Sequence, residues 1–376
     1  MQRIIAVLLM LLLSNMAASD QHIDSEDETT DPSAHAVAPD LREDELKLKL
    51  QKGDFVIVPV PISNPTLDTG LVVGGAYFYP QSEQQKKVQP ASMTAAAAMY
   101  TSNDSAMFGL GHQSYWDQDT WRLGGAIGYA NLKLSLLTPV DPGTGPSVNW
   151  NIRGNLAFAR LSRKILGDWY VGVSGRFVNF EQSIGSSDDT NPFDQAEETK
   201  TAGFGLIAEY DSRDMPMNSY SGRLFQFGAL FNDEAFGSDV SYQSYKIAYR
   251  SYYELSVPVV LAWEVQACHK SGAAPLWDLC TVKLRGFAAT DYLSVSSASG
   301  QFEARWRMTG RWGLVGFAGV GYSRDNFSQT NDREPIPSYG IGVRFMVLKA
   351  KRINLRLDFA RSTDSEAIYL SVGEAF

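Results

Sequence analysis

From about Asp54 onward, apolar and polar residues alternate with a period of two, in segments of roughly ten residues separated by turn residues. Residues 311–322 show it best: Trp312, Leu314, Gly316, Ala318, Val320 and Tyr322 share one face. Aromatics stand at both ends of that face and small apolar residues lie between. A tilted strand of about ten residues spans roughly 25 Å, the height of the apolar band of an outer-membrane barrel with its two aromatic girdles. Other segments carry a polar second face. Phe302, Ala304, Trp306 and Met308 alternate with Gln301, Glu303, Arg305 and Arg307, and Ile353, Leu355, Leu357 and Phe359 alternate with Asn354, Arg356 and Asp358. Tyr339 to Val347 opposes a face holding Arg344, Val259 to Val265 opposes Glu264 and Gln266, and Tyr245, Ile247 and Tyr249 oppose Lys246 and Arg250.

A soluble β-sandwich also alternates, but with shorter strands and a polar face turned to water. The longer segments, the charges of both signs on their polar faces and an export leader favour a transmembrane antiparallel β-barrel over residues 54–376. About fifteen strands count back from the end of the sequence. An even number is expected of a single-chain barrel, so residues 55–61 supply the first strand, although Pro59 and Pro61 weaken it. The expectation is an all-β fold of sixteen strands, with fourteen as the alternative. Both ends of the barrel then face the periplasm. The longer connections, near residues 181–199, 271–298 and 323–337, lie on the outer side, and the short ones, near Asn103-Asp104 excepted, on the periplasmic side.

Ahead of the barrel, residues 1–19 read as a cleaved signal peptide. Arg3 gives the positive start, residues 4–13 an apolar run too short to span a bilayer, and Ala17-Ala18-Ser19 the small residues at the cut. No Cys stands directly after the cut, which argues against a lipoprotein. Residues 20–53 form an acidic tail. Its first half is poor in apolar residues and is expected to be disordered. The net charge of −9 removes nucleic acid from the partners considered. Cys268 and Cys280, in an exported chain, are expected to form a disulfide, two free buried thiols being the alternative. His269 is the only His near them, so no metal is expected, and no cofactor. His112 and His269 have no nucleophile elbow or ordered triad around them, so an outer-membrane hydrolase is not favoured and no catalytic residue is assigned.

Several motifs then fall in order along the chain. Leu284-Arg285-Gly286-Phe287 closely resembles the Val-Arg-Gly-Phe/Tyr signature of the bacterial surface antigen family, which includes BamA- and TamA-like barrels and two-partner-secretion transporters. Asp211-Ser-Arg213-Asp214, followed by Pro216 and Gly222, resembles the family's periplasmic turn before a strand. Glu303-x-Arg305 and the Gly-x-Gly-x-Arg strand ending at Arg344 resemble further family patterns. Ile368, Leu370, Val372 and the terminal Phe376 are read as sharing one face and resemble the signal by which barrel-assembly machinery captures its clients.

The resemblance implies that the long loop folds back into the lumen as a lid, with Arg285 seeking carboxylates on the inner wall. Glu303 is the expected partner, on the same face as Arg305, with Arg344 nearby. The family also offers an Asp in a Phe-x-Asp-x-Gly stretch. Here it reads Phe317-Ala-Gly319-Val-Gly321, so fewer ion pairs are expected to hold the lid. Family members of the BamA type carry periplasmic client-handling domains, and the acidic tail offers none, so a separate periplasmic partner is implied. The function implied is insertion or translocation of protein or lipid at the outer membrane, with outer-membrane lipids as partners. The alternative is a passive pore or structural barrel.

Overall fold

The computed structural model describes residues 53–137, 147–185, 196–256, 258–326, 334–349, 352–363 and 365–376. The leader and all but the last residue of the acidic tail lie outside the described residues.

Sixteen antiparallel strands close into one barrel. They are β1 (Asp54–Asn64), β2 (Asp68–Phe78), β3 (Met93–Thr101), β4 (Ala106–Trp116), β5 (Trp121–Leu137), β6 (Ser147–Leu166), β7 (Trp169–Gly185) and β8 (Glu197–Asp211). The second half comprises β9 (Gly222–Asn232), β10 (Tyr242–Ser256), β11 (Val259–Gly272), β12 (Leu293–Arg307), β13 (Trp312–Asn326), β14 (Ile336–Leu348), β15 (Ile353–Arg361) and β16 (Glu366–Val372). A two-residue strand, Cys280–Thr281, lies inside the β11–β12 connection and pairs with β12 at Ser294 and Leu293.

Closure of the ring satisfies the backbone groups that lipid cannot. The period of two then sorts the side chains. Trp312, Val320 and Tyr339 face outward and are exposed, whereas Glu303 and Asp358 face inward and are fully buried. Aromatic pairs ring the end where β1 begins and β16 finishes: Trp116 stacks on Trp121, Trp169 meets Tyr210 and Phe225, and Trp312 meets Phe345. At the other end Phe231 meets Tyr245 edge-on. These are the two girdles that anticipate the headgroup layers.

The register differs sharply between the two edges of β1. Along one edge, all eleven residues from Asp54 to Asn64 are aligned with β2. Along the other, β1 meets β16 at one aligned pair, Ser63 with Leu370. The cause is the end of β16. It stops at Val372, and Gly373, at φ +91°, turns the chain into the barrel. A residue with a Cβ rarely adopts that conformation. Phe376 is consequently buried in the lumen against Tyr252 and Ala262, with the Arg305 guanidinium 5.4 Å from its ring centre. This corrects the expectation that Phe376 shares a face with Ile368, Leu370 and Val372. Ile368 is exposed on the outer face, whereas Phe376 is inside.

The connections follow the expected asymmetry only in part. The strands run further than the sequence pattern suggested: β11 continues past Cys268 to Gly272, and β12 resumes at Leu293. On the end where β1 begins two connections are not short. Residues 79–92 hold a helical turn, Glu83–Lys86, with a capping box between Ser82 and Gln85. Residues 212–221 reach across the mouth of the barrel, where Asp214 pairs with Arg352 at 2.5 Å. Arg307 and Arg352 both lie over the Tyr220 ring there.

Candidate functional site: a tethered loop inside the lumen

The connection from Ala273 to Tyr292 folds back into the barrel. Even-numbered residues of β11 face the lumen, so Cys268 points inward. It is disulfide-bonded to Cys280, with a Cα–Cα distance of 5.7 Å. The bond fastens the first half of the loop to the inner wall. Within this half, Trp277 is buried and meets Phe180 edge-on in a cluster with Trp150, Ile152 and Leu132.

Beside Trp277 stands Asp278, also buried. Its carboxylate takes three wall groups: Arg176 of β7 at 2.9 Å, Lys270 of β11 at 3.1 Å and the Tyr242 hydroxyl of β10 at 2.5 Å. Burial by itself raises the Asp278 carboxyl, but the charges of Arg176 and Lys270 outweigh it and hold the group well below the usual carboxylate range. The loop's acid is thus bound by two cations of the wall.

The second half of the loop is held with the signs reversed. Arg285 donates through Nη2 to Glu303 of β12 and through Nη1 to Asp358 of β15 at 2.7 Å. Its guanidinium lies 3.4 Å from the centre of the Phe317 ring of β13. Glu303 and Asp358 are each shared. The other oxygen of Glu303 accepts from Arg305 at 2.9 Å, and the other oxygen of Asp358 from Arg344 at 2.5 Å. Arg344 also donates to Glu374 at 2.7 Å. Arg305 and Arg344 therefore set the acids that Arg285 binds without touching Arg285. Buried charges this close to balance avoid the penalty of an unpaired one.

Each residue of the Leu284–Phe287 motif has its own contact. The Arg285 carbonyl accepts from Ser338. Gly286 sits at φ +114°, and a Cβ there would lie 3.0 Å from the backbone of Arg361. The Gly286 N–H donates to the Tyr369 hydroxyl at 2.9 Å, which in turn donates to the Phe287 carbonyl at 3.1 Å. Phe287 is buried with Val282, Ile336 and Tyr292. The Ala289 N–H reaches Thr66 in the β1–β2 turn at 2.8 Å.

The expectation of fewer ion pairs is corrected by Asp358. Gly319 does stand where an Asp was expected, and the reason is space. A Cβ on Gly319 would lie 2.8 Å from both the Gly300 carbonyl and Leu284, and one on Gly321 would lie 2.3 Å from Val282. The lid's apolar residues occupy that part of β13, and the second carboxylate comes from β15 instead. Asp278, Asp358 and Tyr369 were not singled out as site residues. The inward face of residues 353–361 already contained Asp358, and Asp278 is the sole acid between the two cysteines.

The turn after β8 is also internally tied. Arg213 makes a two-point contact with Asp211, Nε to Oδ1 at 2.9 Å and Nη2 to Oδ2 at 2.8 Å. Asp214 Oδ1 accepts from the backbone N–H of Tyr220 and Ser221. Gly222, at φ +98°, passes the Ser212 carbonyl where a Cβ would lie 2.2 Å away.

The profile of the Omp85 superfamily domain matches residues 93–376. The chain belongs to the Omp85 superfamily. The match begins at β3, so the β1–β2 hairpin lies outside it. Among solved structures, the Omp85 barrel described here is similar to BamA from Haemophilus ducreyi, with a TM-score of 0.59 at 11% identity over 85% of this chain and 70% of that one. It is similar to CdiB from Acinetobacter baumannii, with a TM-score of 0.56 at 10% identity over 88% of this chain and 68% of that one. CdiB from Escherichia coli gives 0.54 at 10% identity, over 88% and 70%. At these identities the likeness is one of fold. No curated protein matches the chain by sequence. An Omp85 barrel is an outer-membrane barrel, which agrees with the girdles and the closed ring.

Proposed function

We propose that this barrel inserts or translocates amphipathic cargo, protein or lipid, through its lumen or the seam between β1 and β16. The observation that supports this is the seam itself, one aligned pair against eleven on the other edge of β1. Backbone N–H and C=O groups without a partner are costly in hydrocarbon, so a weakly paired seam perturbs the adjacent bilayer and gives way more readily than any other part of the ring. The lid is the second element of the proposal. Arg285, Glu303 and Asp358 keep the lumen closed at rest, and Arg305 and Arg344 orient the acids. A passive pore fits less well, because the loop and the cluster around Trp277 occupy the lumen.

In this proposal residues 1–19 are removed on export, residues 20–53 form a periplasmic tail and residues 54–376 cross the outer membrane. The outward residues Ile368, Leu370 and Val372 are what the assembly machinery reads, and the 211–222 turn is periplasmic. A separate periplasmic protein hands over cargo. The test is a seam lock. Full-length protein carrying Ser63→Cys and Leu370→Cys is reconstituted in phospholipid vesicles, with and without oxidation. Lipid redistribution and the folding rate of a second, urea-unfolded barrel are then read. Both activities persisting unchanged in the locked protein, or large stable conductance without any partner, would overturn the proposal.

A further inference from the structure

Resting on the seam proposal above, we infer that the cargo at the seam is an anionic phospholipid rather than a protein strand, and that Arg356 takes its phosphate. Three independent features of the barrel carry this.

The first is the chemistry of the β1 edge. Proline has no N–H, and a sheet tolerates it where that missing donor would point away from the neighbouring strand. The β1–β2 register runs unbroken through Pro59 and Pro61, aligned with Val73 and Leu71. The missing donors therefore belong to the edge that faces β16. An incoming β-strand would find carbonyls there but no N–H at two successive bonding positions. Proline on an edge is how sheets discourage strand addition. This edge is open and is a poor template.

The second is the inner wall beside it. Lumen faces of outer-membrane barrels are ordinarily polar. Here the inward residues of β1 to β4 between Val56 and Gln113 include Val58, Val60, Val72, Ala76, Ala95 and Met99, and within the strands from Val56, Gly70, Met93 and Met107 none is charged. The outward residues Phe55, Ile57, Leu71, Val73, Phe108 and Leu110 are apolar and exposed. The wall next to the seam is thus uncharged and largely apolar on its inner face and apolar on its outer one. An acyl chain passing the seam would meet the same surroundings inside as outside.

The third is a cation with an unmet donor across the seam from that wall. Arg356 lies on the inward face of β15, aligned with Ser371 of β16. Two strand spacings, about 10 Å, separate β15 from β1. Asp358, its carboxylate partner, is already bound by Arg285 at 2.7 Å and Arg344 at 2.5 Å. Arg356 reaches it only at 3.7 Å through Nε, and that nitrogen makes no hydrogen bond. A guanidinium presents a planar fork that suits a phosphate. The apolar wall for the chains and the guanidinium for the headgroup stand on opposite sides of one opening.

The test uses full-length protein in phosphatidylcholine vesicles containing a trace of fluorescent phosphatidylglycerol or phosphatidylcholine with identical acyl chains, and follows transbilayer movement by dithionite quenching. Phosphatidylglycerol should move about ten-fold faster than phosphatidylcholine, which offers Arg356 the same phosphate but carries a trimethylammonium that cancels the headgroup charge and is repelled by the guanidinium. Arg356→Gln should bring it down to the phosphatidylcholine rate, with heat-modifiable gel mobility confirming a folded barrel. Pro59→Val with Pro61→Val, which restores edge donors, should slow both lipids. Added inorganic phosphate should leave the rates unchanged. Equal rates for the two lipids in the unaltered protein, an unchanged preference in folded Arg356→Gln, or inhibition by free phosphate would each overturn the inference. If neither lipid moves but folding of a second barrel is accelerated, the lipid inference fails and the seam proposal stands. If neither activity responds to the seam lock, both fail.

Discussion

Replacing Arg285 by Ala tests the lid most directly. Arg285 is buried, and both of its carboxylate partners are fully buried, so the substitution leaves Glu303 and Asp358 without one of their counter-charges. Removing one partner of a buried ion pair costs about 3–5 kcal/mol. Each acid keeps a second Arg, Arg305 for Glu303 and Arg344 for Asp358, which places the cost at the lower end. Loss of the contact with the Phe317 ring adds about 1 kcal/mol. The sum, about 3–4 kcal/mol, falls on the lid rather than on the strand ladder, because no ladder hydrogen bond is lost. Lid opening should therefore become roughly 100- to 1000-fold more frequent. Hydrogen exchange of residues 282–292 in vesicle-embedded protein reads this, with the amides of β5 and β6 as internal reference. Arg285→Lys should fall between, since an ammonium cannot make both contacts with the same geometry. Exchange in 282–292 that is unchanged by Arg285→Ala, at unchanged yield of folded barrel, would refute the ion-pair account of the lid.

Gly319→Asp, although it restores the family's usual residue, should destabilise the folded barrel by about 1–3 kcal/mol through collision with the Gly300 carbonyl and Leu284, and Leu284→Ala should relieve only the part due to Leu284; urea titrations of the single and double variants check this. Cys280→Ser, with Cys268→Ser to avoid a free thiol, should loosen residues 273–281 by about 3 kcal/mol while leaving 284–287 anchored, which exchange can resolve segment by segment. The Asp278 carboxyl is held below its ordinary value in the folded state, so its contribution is fully present above the unfolded value near pH 4 and is lost as pH falls through the lower folded one. Acidification well below the ordinary carboxylate range should release the 276–281 segment, and Asp278→Asn should release it at neutral pH and remove that acid dependence.

The barrel was legible because lipid and lumen impose opposite demands on neighbouring residues, and Trp312 to Tyr322 record that demand without interruption. The Leu284–Phe287 motif was legible because its constraint is local: only glycine suits the backbone of Gly286. The second carboxylate was not. Asp358 and Glu303 lie on strands three apart, and which inward acid meets Arg285 depends on the stagger of the ring, which a one-dimensional pattern does not contain. The place of Phe376 was misread for a similar reason. Alternation continues as far as Val372, but Gly373 ends it, and a single left-handed residue shifts everything after it from the outer face to the inner one. The two prolines of β1 were seen as weakening a strand. Their meaning as a property of one edge required knowing which edge has a neighbour.

The loop in the lumen is fastened by an acid and a base in succession, each seated between wall charges of the opposite sign. Such a loop works like a keyed bolt. Moving either half of the loop off its seat leaves a buried charge unpaired on the loop and its counter-charges unpaired on the wall, in a medium that screens poorly. On the proposed function, release of the loop is an all-or-none event, and whatever draws the loop must offer substitutes for both of its anchors in the same step.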